Sequence, residues 1–159
     1  MAQALGAGLI AIGFVSCWAM DKLVPDRRSA NMRAITSKNT RPELAVRHAL
    51  RQENFSGYRL HRKDLPGRPD IAFIGRRKAI FVHGCFWHGH ECREGARRPR
   101  SRTDYWLPKI AGNQMRDAKH KASLVAEGWD VLTIWDCEIA RGDLAERLRR
   151  FVLSHGSKR

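Results

Sequence analysis

A Phe-Trp pair, two cysteines and three histidines share the twelve positions Phe81-Val-His-Gly-Cys-Phe-Trp-His-Gly-His-Glu-Cys92. Thiolate and imidazole are zinc's preferred ligands, and a closed structural site needs four of them. Cys85, His90 and Cys92 supply three. Cys137 follows the apolar run Trp129-Asp-Val-Leu-Thr-Ile-Trp135, a strand end from which a fourth ligand can reach the loop. The spacing predicts a Cys₃His structural zinc site of Cys85, His90, Cys92 and Cys137; the alternative for Cys137 is a buried core thiol. Phe86, Trp87 and His88 are interleaved with these ligands, so the braced loop presents bulky side chains to a partner.

A second set of residues suggests hydrolytic chemistry. Leu65-Pro-Gly-Arg-Pro-Asp70 ends a loop and delivers a carboxylate at the start of the apolar run Ile71-Ala-Phe-Ile74. Such a carboxylate can hold Mg²⁺ through one oxygen, because Mg²⁺ keeps several of its waters and needs few protein groups. Pro-Asp before a strand is also an ordinary turn ending. The weight comes from Val82-His83 on the next apolar run and His88 just beyond. A hairpin would bring them near Asp70, adding a main-chain carbonyl for the metal and an imidazole for proton transfer.

Composition narrows the partner. The chain has 159 residues, one domain's length and enough for a real core. Thirty Lys+Arg against 16 Asp+Glu give a formal net charge of +14. That excess attracts a polyanion: nucleic acid, an acidic membrane surface or an acidic protein. Five tryptophans favour a chain that also stacks on bases. Charge alone does not separate an enzyme from a binder. Four cysteines, two of them in a histidine-rich loop, point to metal binding in a reducing, cytoplasmic setting. Residues 1–19, with Cys17 among them, carry no charge and lack the positive residues that open a secretory signal. They fall marginally short of a membrane span of about 20 residues. Residues 1–19 are read as an apolar extension outside the fold and residues 20–159 as the domain; a membrane anchor is the alternative.

The positioning elements follow from capping and periodicity. Asp26-Arg-Arg-Ser-Ala-Asn-Met-Arg33 is a basic arm. Thr40-Arg-Pro-Glu43 has the form of a capping box and starts a helix to about Asn54, with Leu44, Ala45, Ala49 and Leu50 near one face. Strands are expected at Tyr58–His61, Asp70–Ile74 and Ala79–His83, the last two joined as a hairpin by Gly75-Arg-Arg-Lys78. A helix from about Thr103 to Glu127, interrupted near Pro108 and Gly112, ends at Gly128. Trp129–Trp135 reads as a buried strand, with both tryptophans in the core, and Gly142–Leu153 as a closing amphipathic helix. The order predicts an α/β fold with a mixed sheet flanked by helices. Lys109, Arg116, Lys119 and Lys121 read as a solvated helix face, some of it meeting phosphate. His48, His61, His120 and His155 read as surface residues.

Several of these segments together resemble one family. Arg-Ser-Ala-Asn-Met-Arg-Ala-Ile (28–35), Leu-Pro-Gly-Arg-Pro-Asp (65–70), the 81–92 segment, Arg-Thr-Asp-Tyr-Trp (102–106), Lys-Ile-Ala-Gly-Asn-Gln-Met-Arg-Asp (109–117) and Val-Leu-Thr-Ile-Trp-Asp-Cys (131–137) are similar to the very-short-patch repair (Vsr) mismatch endonucleases. The matches fall in one order from about Met20 to Phe151. The resemblance implies a restriction-endonuclease-like core and a Mg²⁺-dependent DNA endonuclease. It would nick 5′ of the thymine in T·G mismatches left by deamination of 5-methylcytosine. By position, Asp70 resembles the family's metal-binding aspartate, with the Val82 carbonyl as second ligand. His88 resembles the general base, His83 a supporting histidine and Glu43 an acidic residue near the site. Cys85, His90, Cys92 and Cys137 match the structural zinc ligands. Phe86, Trp87 and Trp106 resemble an aromatic wedge, and Met32 and Arg33 lie in a DNA-contacting segment. Asn113 stays open between helix-end structure and mismatch reading. The basic arm around Arg27, Arg28 and Arg33 would hold phosphates with steep salt dependence.

The partners implied are duplex DNA with a T·G mismatch and other mismatch-repair proteins, with no membrane and a monomeric state. Two departures stand out: Val82 where Thr is common, and Gly89 where a further histidine can occur. The alternative functions are a nuclease of the same core with another specificity and a non-catalytic zinc DNA-binding module. Asp70 and His88 speak against the last.

Overall fold

The computed structural model describes residues 38–97 and 103–154. Residues 1–19, the basic arm with Met32 and Arg33, Arg102 and His155 lie outside the described residues. The first helix, α1 (Arg41–Gln52), begins as its sequence dictates: the Glu43 N–H donates to the Thr40 hydroxyl, and Pro42 occupies the first turn where no N–H is required. Its inward stripe is Glu43, Val46, Arg47, Ala49 and Leu50. Leu44, expected on that face, is half exposed, because it lies a residue's 100° rotation off the i, i+3, i+4, i+7 stripe that starts at Glu43.

Four strands follow in the sheet order β1 (Arg59–Leu60), β2 (Ile71–Phe73), β3 (Lys78–His83) and β4 (Asp130–Trp135). β1–β2 and β2–β3 are antiparallel, while β3–β4 are parallel in the register Ile80 to Leu132 and His83 to Trp135. The β2–β3 hairpin turns through a 3₁₀ segment, Ile74–Arg76, with Arg77 in the left-handed region at φ 50°. The β3-to-β4 crossover contains the short helix α2 (Arg93–Ala96) and the long helix α3 (Thr103–Ala126). Contrary to the expected interruption, α3 runs unbroken through Pro108 and Gly112. Pro108 removes the hydrogen bond to the carbonyl of Asp104 alone, and both residues are exposed at the solvated N-terminal end, where water can take over. Short α4 (Asp136–Ile139) and α5 (Leu144–Leu153) complete the chain.

Alternation along the strands divides the core into two layers. Ile71, Phe73, Ile80 and Ile134 face α1 and α5, packing against Val46, Leu50, Leu148 and Val152. Ala72, Ala79 and Phe81 face the other way and pack against Leu65 and against Leu124 of α3. The helices therefore flank a mixed sheet, as expected. β4 corrects one reading: only Ile134 in it is buried, because β4 ends the sheet order and has no further described strand beside it. Among the described residues, no helix is long and apolar enough to cross a membrane.

Candidate active site and metal cluster

The strand directions place His61 after β1, Asp70 before β2, His83 at the end of β3 and Trp135 at the end of β4 at one end of the sheet. Asp70 is largely buried there, held by a turn in which Gly67 (φ 73°) and Arg68 (φ 53°) are both left-handed. The Val82 N–H donates to Asp70 Oδ2 at 2.7 Å. N–H and C=O of one strand residue point to the same side, so the Val82 carbonyl is directed toward Asp70 as well. The Val82 side chain packs with the α1/α5 core. A hydroxyl at this position would belong to that core, so Val in place of Thr leaves the backbone carbonyl untouched.

Burial raises the Asp70 carboxyl to about 6, against the opposing Val82 N–H, and the neighbouring Glu43 adds to the rise. Glu43 and the unanticipated His61 stand beside it. His61 Nε2 is 3.5 Å from Glu43 Oε2 and His61 Nδ1 is 3.7 Å from Asp70 Oδ1. Burial holds the His61 imidazole below its ordinary range, although Glu43 pulls the other way. His61 thus lies partly buried against Glu43 and Asp70, not on the surface as its isolation in the sequence suggested. It sits at φ 47°, in the bend where β1 leaves the sheet.

His83 and His88 stack with ring centroids 3.9 Å apart and planes 9° off parallel. Asp117 of α3 lies 2.5 Å from His88 Nδ1 and 4.0 Å from His83 Nδ1. Burial, reinforced by His88, lowers the His83 pKa to about 4. Sequence reasoning assigned Asp117 no role. The available signal was the face it shares with Asn113 and Gln114 on α3.

Those three residues grip three consecutive loop positions. Asn113 Nδ2 donates to the Trp87 carbonyl at 2.7 Å, Gln114 Nε2 to the Gly89 carbonyl at 3.2 Å, and Asp117 takes His88. Asn113 lies in the middle of α3, so it is not a helix-end residue, and its Oδ1 is also engaged, by Arg116. Gly89 has φ 62°, and a β-carbon there would sit 2.6 Å from Gln114 Nε2 and 2.8 Å from Ile110 Cγ2. A histidine at this position would have to displace those partners.

The donor atoms of Cys85, His90, Cys92 and Cys137 all lie within 4.8 Å of one another. Cys137 approaches from the start of α4, with its N–H donating to Cys85 Sγ at 3.4 Å and its own Sγ 3.5 Å from His90 Nδ1. The Gly95 N–H lowers the Cys92 pKa to about 6, while burial pushes Cys85 up to about 12 and raises Cys137. The group is a four-donor site that could hold a metal ion. Trp135, expected in the core, instead forms the wall between this group and the histidine pair: its ring stacks on His90 at 4.2 Å and meets His83 edge-on at 5.3 Å.

Phe86, Trp87 and Trp106 form a mutually touching, half-buried aromatic cluster, with centroid separations of 5.2, 5.6 and 5.7 Å, and Tyr105 extends it. The expected solvated face of α3 is present, with Lys109, Arg116, Lys119 and Lys121 all exposed. His48 is exposed as expected, whereas His120 is partly covered and packs over Gly67.

The family described as DNA mismatch endonuclease Vsr matches residues 20–94. The chain is 54% identical over 133 residues to "Type II nicking enzyme V.XorIIP" of Xanthomonas oryzae pv. oryzae, covering 83% of this chain and 96% of that protein. It is 41% identical over 133 residues to "Type II nicking enzyme V.NmeAIP" of Neisseria meningitidis serogroup A, covering 83% and 94%. It is 37% identical over 136 residues to "DNA mismatch endonuclease Vsr" of Escherichia coli K12, covering 82% and 86%. The chain belongs to the Vsr family of DNA endonucleases.

Proposed function

We propose that this Vsr-family endonuclease nicks duplex DNA 5′ of the thymine in T·G mismatches arising from 5-methylcytosine deamination, opening a short repair patch. The observation that carries the reading is the convergence of a metal-competent carboxylate, an oriented histidine pair and an aromatic cluster at one end of the sheet, with one loop supplying residues to both of the latter. The relative named a mismatch endonuclease supports the substrate; those named nicking enzymes support single-strand cleavage.

Asp70 and the Val82 carbonyl offer hard oxygen donors suited to Mg²⁺. When bound, that ion would offset charge on the scissile phosphate and stabilise the leaving 3′ oxygen. The chain's own residues do the proton work. The Asp117 carboxylate accepts from His88 Nδ1–H, which leaves His88 Nε2 with its lone pair as the acceptor of the water's proton. His83, held neutral by burial, stacks against that ring and fixes its plane. Glu43, buried on α1, adds negative charge beside Asp70.

Phe86, Trp87 and Trp106 would wedge beside the mismatch. Unstacking a base step costs a few kcal/mol, and less where pairing is already poor, which favours mismatched sites. Met32, Arg33 and the basic arm would hold backbone phosphates. Asn113 would act by holding the wedge loop rather than by reading bases.

The Cys₃His group fits structural zinc by its chemistry and its spacing. Zn–S of about 2.3 Å and Zn–N of about 2.0 Å at a tetrahedral angle put S and N about 3.5 Å apart, the Cys137 Sγ to His90 Nδ1 distance. Four protein ligands leave no open position for chemistry. The core is read as restriction-endonuclease-like, with residues 1–19 outside it, and the enzyme as a cytoplasmic, nucleoid-associated monomer that cooperates with other mismatch-repair proteins. An end-labelled T·G duplex tests the function: a single Mg²⁺-dependent break 5′ of the mismatched thymine supports it, and a break on the other strand or elsewhere contradicts it.

A further inference from the structure

Glu43, His61 and Asp70 have the makings of a three-ligand cation site, since their donor atoms lie within 4.8 Å of one another. Arg47, buried on α1, stands against that. Its Nη2 is 3.0 Å from Glu43 Oε2 and 3.2 Å from His61 Nε2, and its Nη1 donates to Asn39 Oδ1 at 2.8 Å. A guanidinium has donors and no acceptor, so in this 3.2 Å contact, shorter than the 3.5 Å from the same nitrogen to Glu43 Oε2, His61 Nε2 accepts. The ring proton of the neutral imidazole then sits on Nδ1, the atom that faces Asp70 Oδ1 at 3.7 Å. A protonated Nδ1 has no lone pair to give a metal.

The remaining donors are committed in the same sense. Glu43 Oε2 also receives the Asn39 N–H at 3.0 Å, and Glu43 Oε1 receives the Thr40 hydroxyl at 2.9 Å. Asp70 Oδ2 takes the Val82 N–H, so Oδ1 is the carboxylate oxygen left over.

We propose that Arg47 is a positioning residue that keeps His61 out of the metal's inner shell, holding its Nδ1–H rather than a lone pair toward Asp70 and so preserving an all-oxygen centre. The inference rests on the reading of Asp70 as metal ligand. Oxygen-only sites suit Mg²⁺, whereas an added imidazole shifts preference toward nickel, iron or zinc. Arg47 therefore sets which metal the centre accepts without touching metal or DNA. It does so through the tautomer it imposes on His61.

The test uses the full-length protein with zinc in the Cys₃His group and Mn²⁺ as the probe of the Asp70 centre. Electron spin-echo spectroscopy of the wild type should show no directly coordinated nitrogen. Arg47→Met should gain one, lose it again in Arg47→Met/His61→Asn, and bind Ni²⁺ more tightly relative to Mg²⁺ by about tenfold or more. A coordinated nitrogen in the wild type, or none in Arg47→Met, overturns the proposal. If Arg47→Met does not fold, long-range proton–nitrogen correlation spectra of the wild-type imidazoles decide. An Nδ1–H tautomer at His61 supports the proposal, and an Nε2–H tautomer overturns it. Mn²⁺ binding that is indifferent to Asp70→Asn would instead sink the Asp70 metal reading, which separates the two failures.

Discussion

His88 and Asp117 come from elements 29 positions apart, and their side chains meet at 2.5 Å between Nδ1 and Oδ2. The contact fixes both the tautomer and the ring orientation of the histidine, so α3 orients His88 although it contributes no strand to the sheet. The same helix holds the backbone of the aromatic loop through Asn113 and Gln114. Any movement of the loop that tilts Phe86 and Trp87 must also move His88.

Asp117→Asn should lower the single-turnover nicking rate by about 10²- to 10⁴-fold, the usual contribution of a general base. DNA affinity and thermal stability should stay near wild type, because the residue is partly exposed and outside the core. An unchanged rate would remove His88 from the role of proton acceptor.

The buried Asp70 carboxyl, raised to about 6, makes the metal-free protein pH-sensitive. The folded state holds this proton more tightly than the unfolded chain, so the residue's contribution to stability falls as pH rises from about 4 to about 6. His83, lowered to about 4, works in the opposite sense and contributes stability that is lost as pH falls through that value. Comparing Asp70→Asn with wild type isolates the first effect. The metal-free variant should be more stable in urea at pH 7 by about 2–3 kcal/mol, with the difference vanishing near pH 4. Equal stabilities at pH 7 would contradict a carboxyl raised by burial.

Gly95 supports the metal group by lacking a side chain. A β-carbon there would lie 2.1 Å from the His90 carbonyl oxygen and 2.8 Å from the His90 nitrogen, both backbone atoms that cannot step aside. Gly95→Ala should lose tightly bound zinc and lower the melting temperature about as much as Cys137→Ser. Full zinc content in either variant, by elemental analysis, would refute the corresponding role.

Trp106 touches both Phe86 and Trp87 from α3. Trp106→Ala should reduce kcat/KM on a mismatched duplex by roughly 10- to 100-fold, the equivalent of the 1–3 kcal/mol typical of one base-stacking aromatic. The effect should shrink on a duplex whose mismatch is flanked by an already unpaired base. A uniform loss on both substrates would mean that the tryptophan acts through folding alone.

Much of the site was legible because its residues are concentrated in the chain. The 81–92 segment carries three of the metal donors, and Asp70 announces itself by following a turn and preceding an apolar strand. The fold class followed from the capping box at Thr40 and the apolar runs. What escaped was set by tertiary approach. His61 and Arg47 look like ordinary polar positions until β1 and α1 bring them against Asp70, and Asp117 looks like one more charge on a solvated helix. The apolar run around Trp135 suggests a core position. Among the described residues β4 ends the sheet order, which leaves its last residue free to stack on His90. Leu44 was misplaced because two adjacent apolar residues suggest a face that the 3.6-residue period does not allow.

In the proposed function, one loop couples distortion of a mismatch to cleavage beside it. Single-turnover nicking by the wild-type protein with Mg²⁺, on otherwise identical duplexes carrying T·G, A·C or T·A at one position, tests it most directly. Cleavage of T·G should be fast and cleavage of the paired duplex slower by about 10²-fold or more, the discrimination available from a base step that opens a few kcal/mol more easily. Equal cleavage of T·G and T·A duplexes would contradict it.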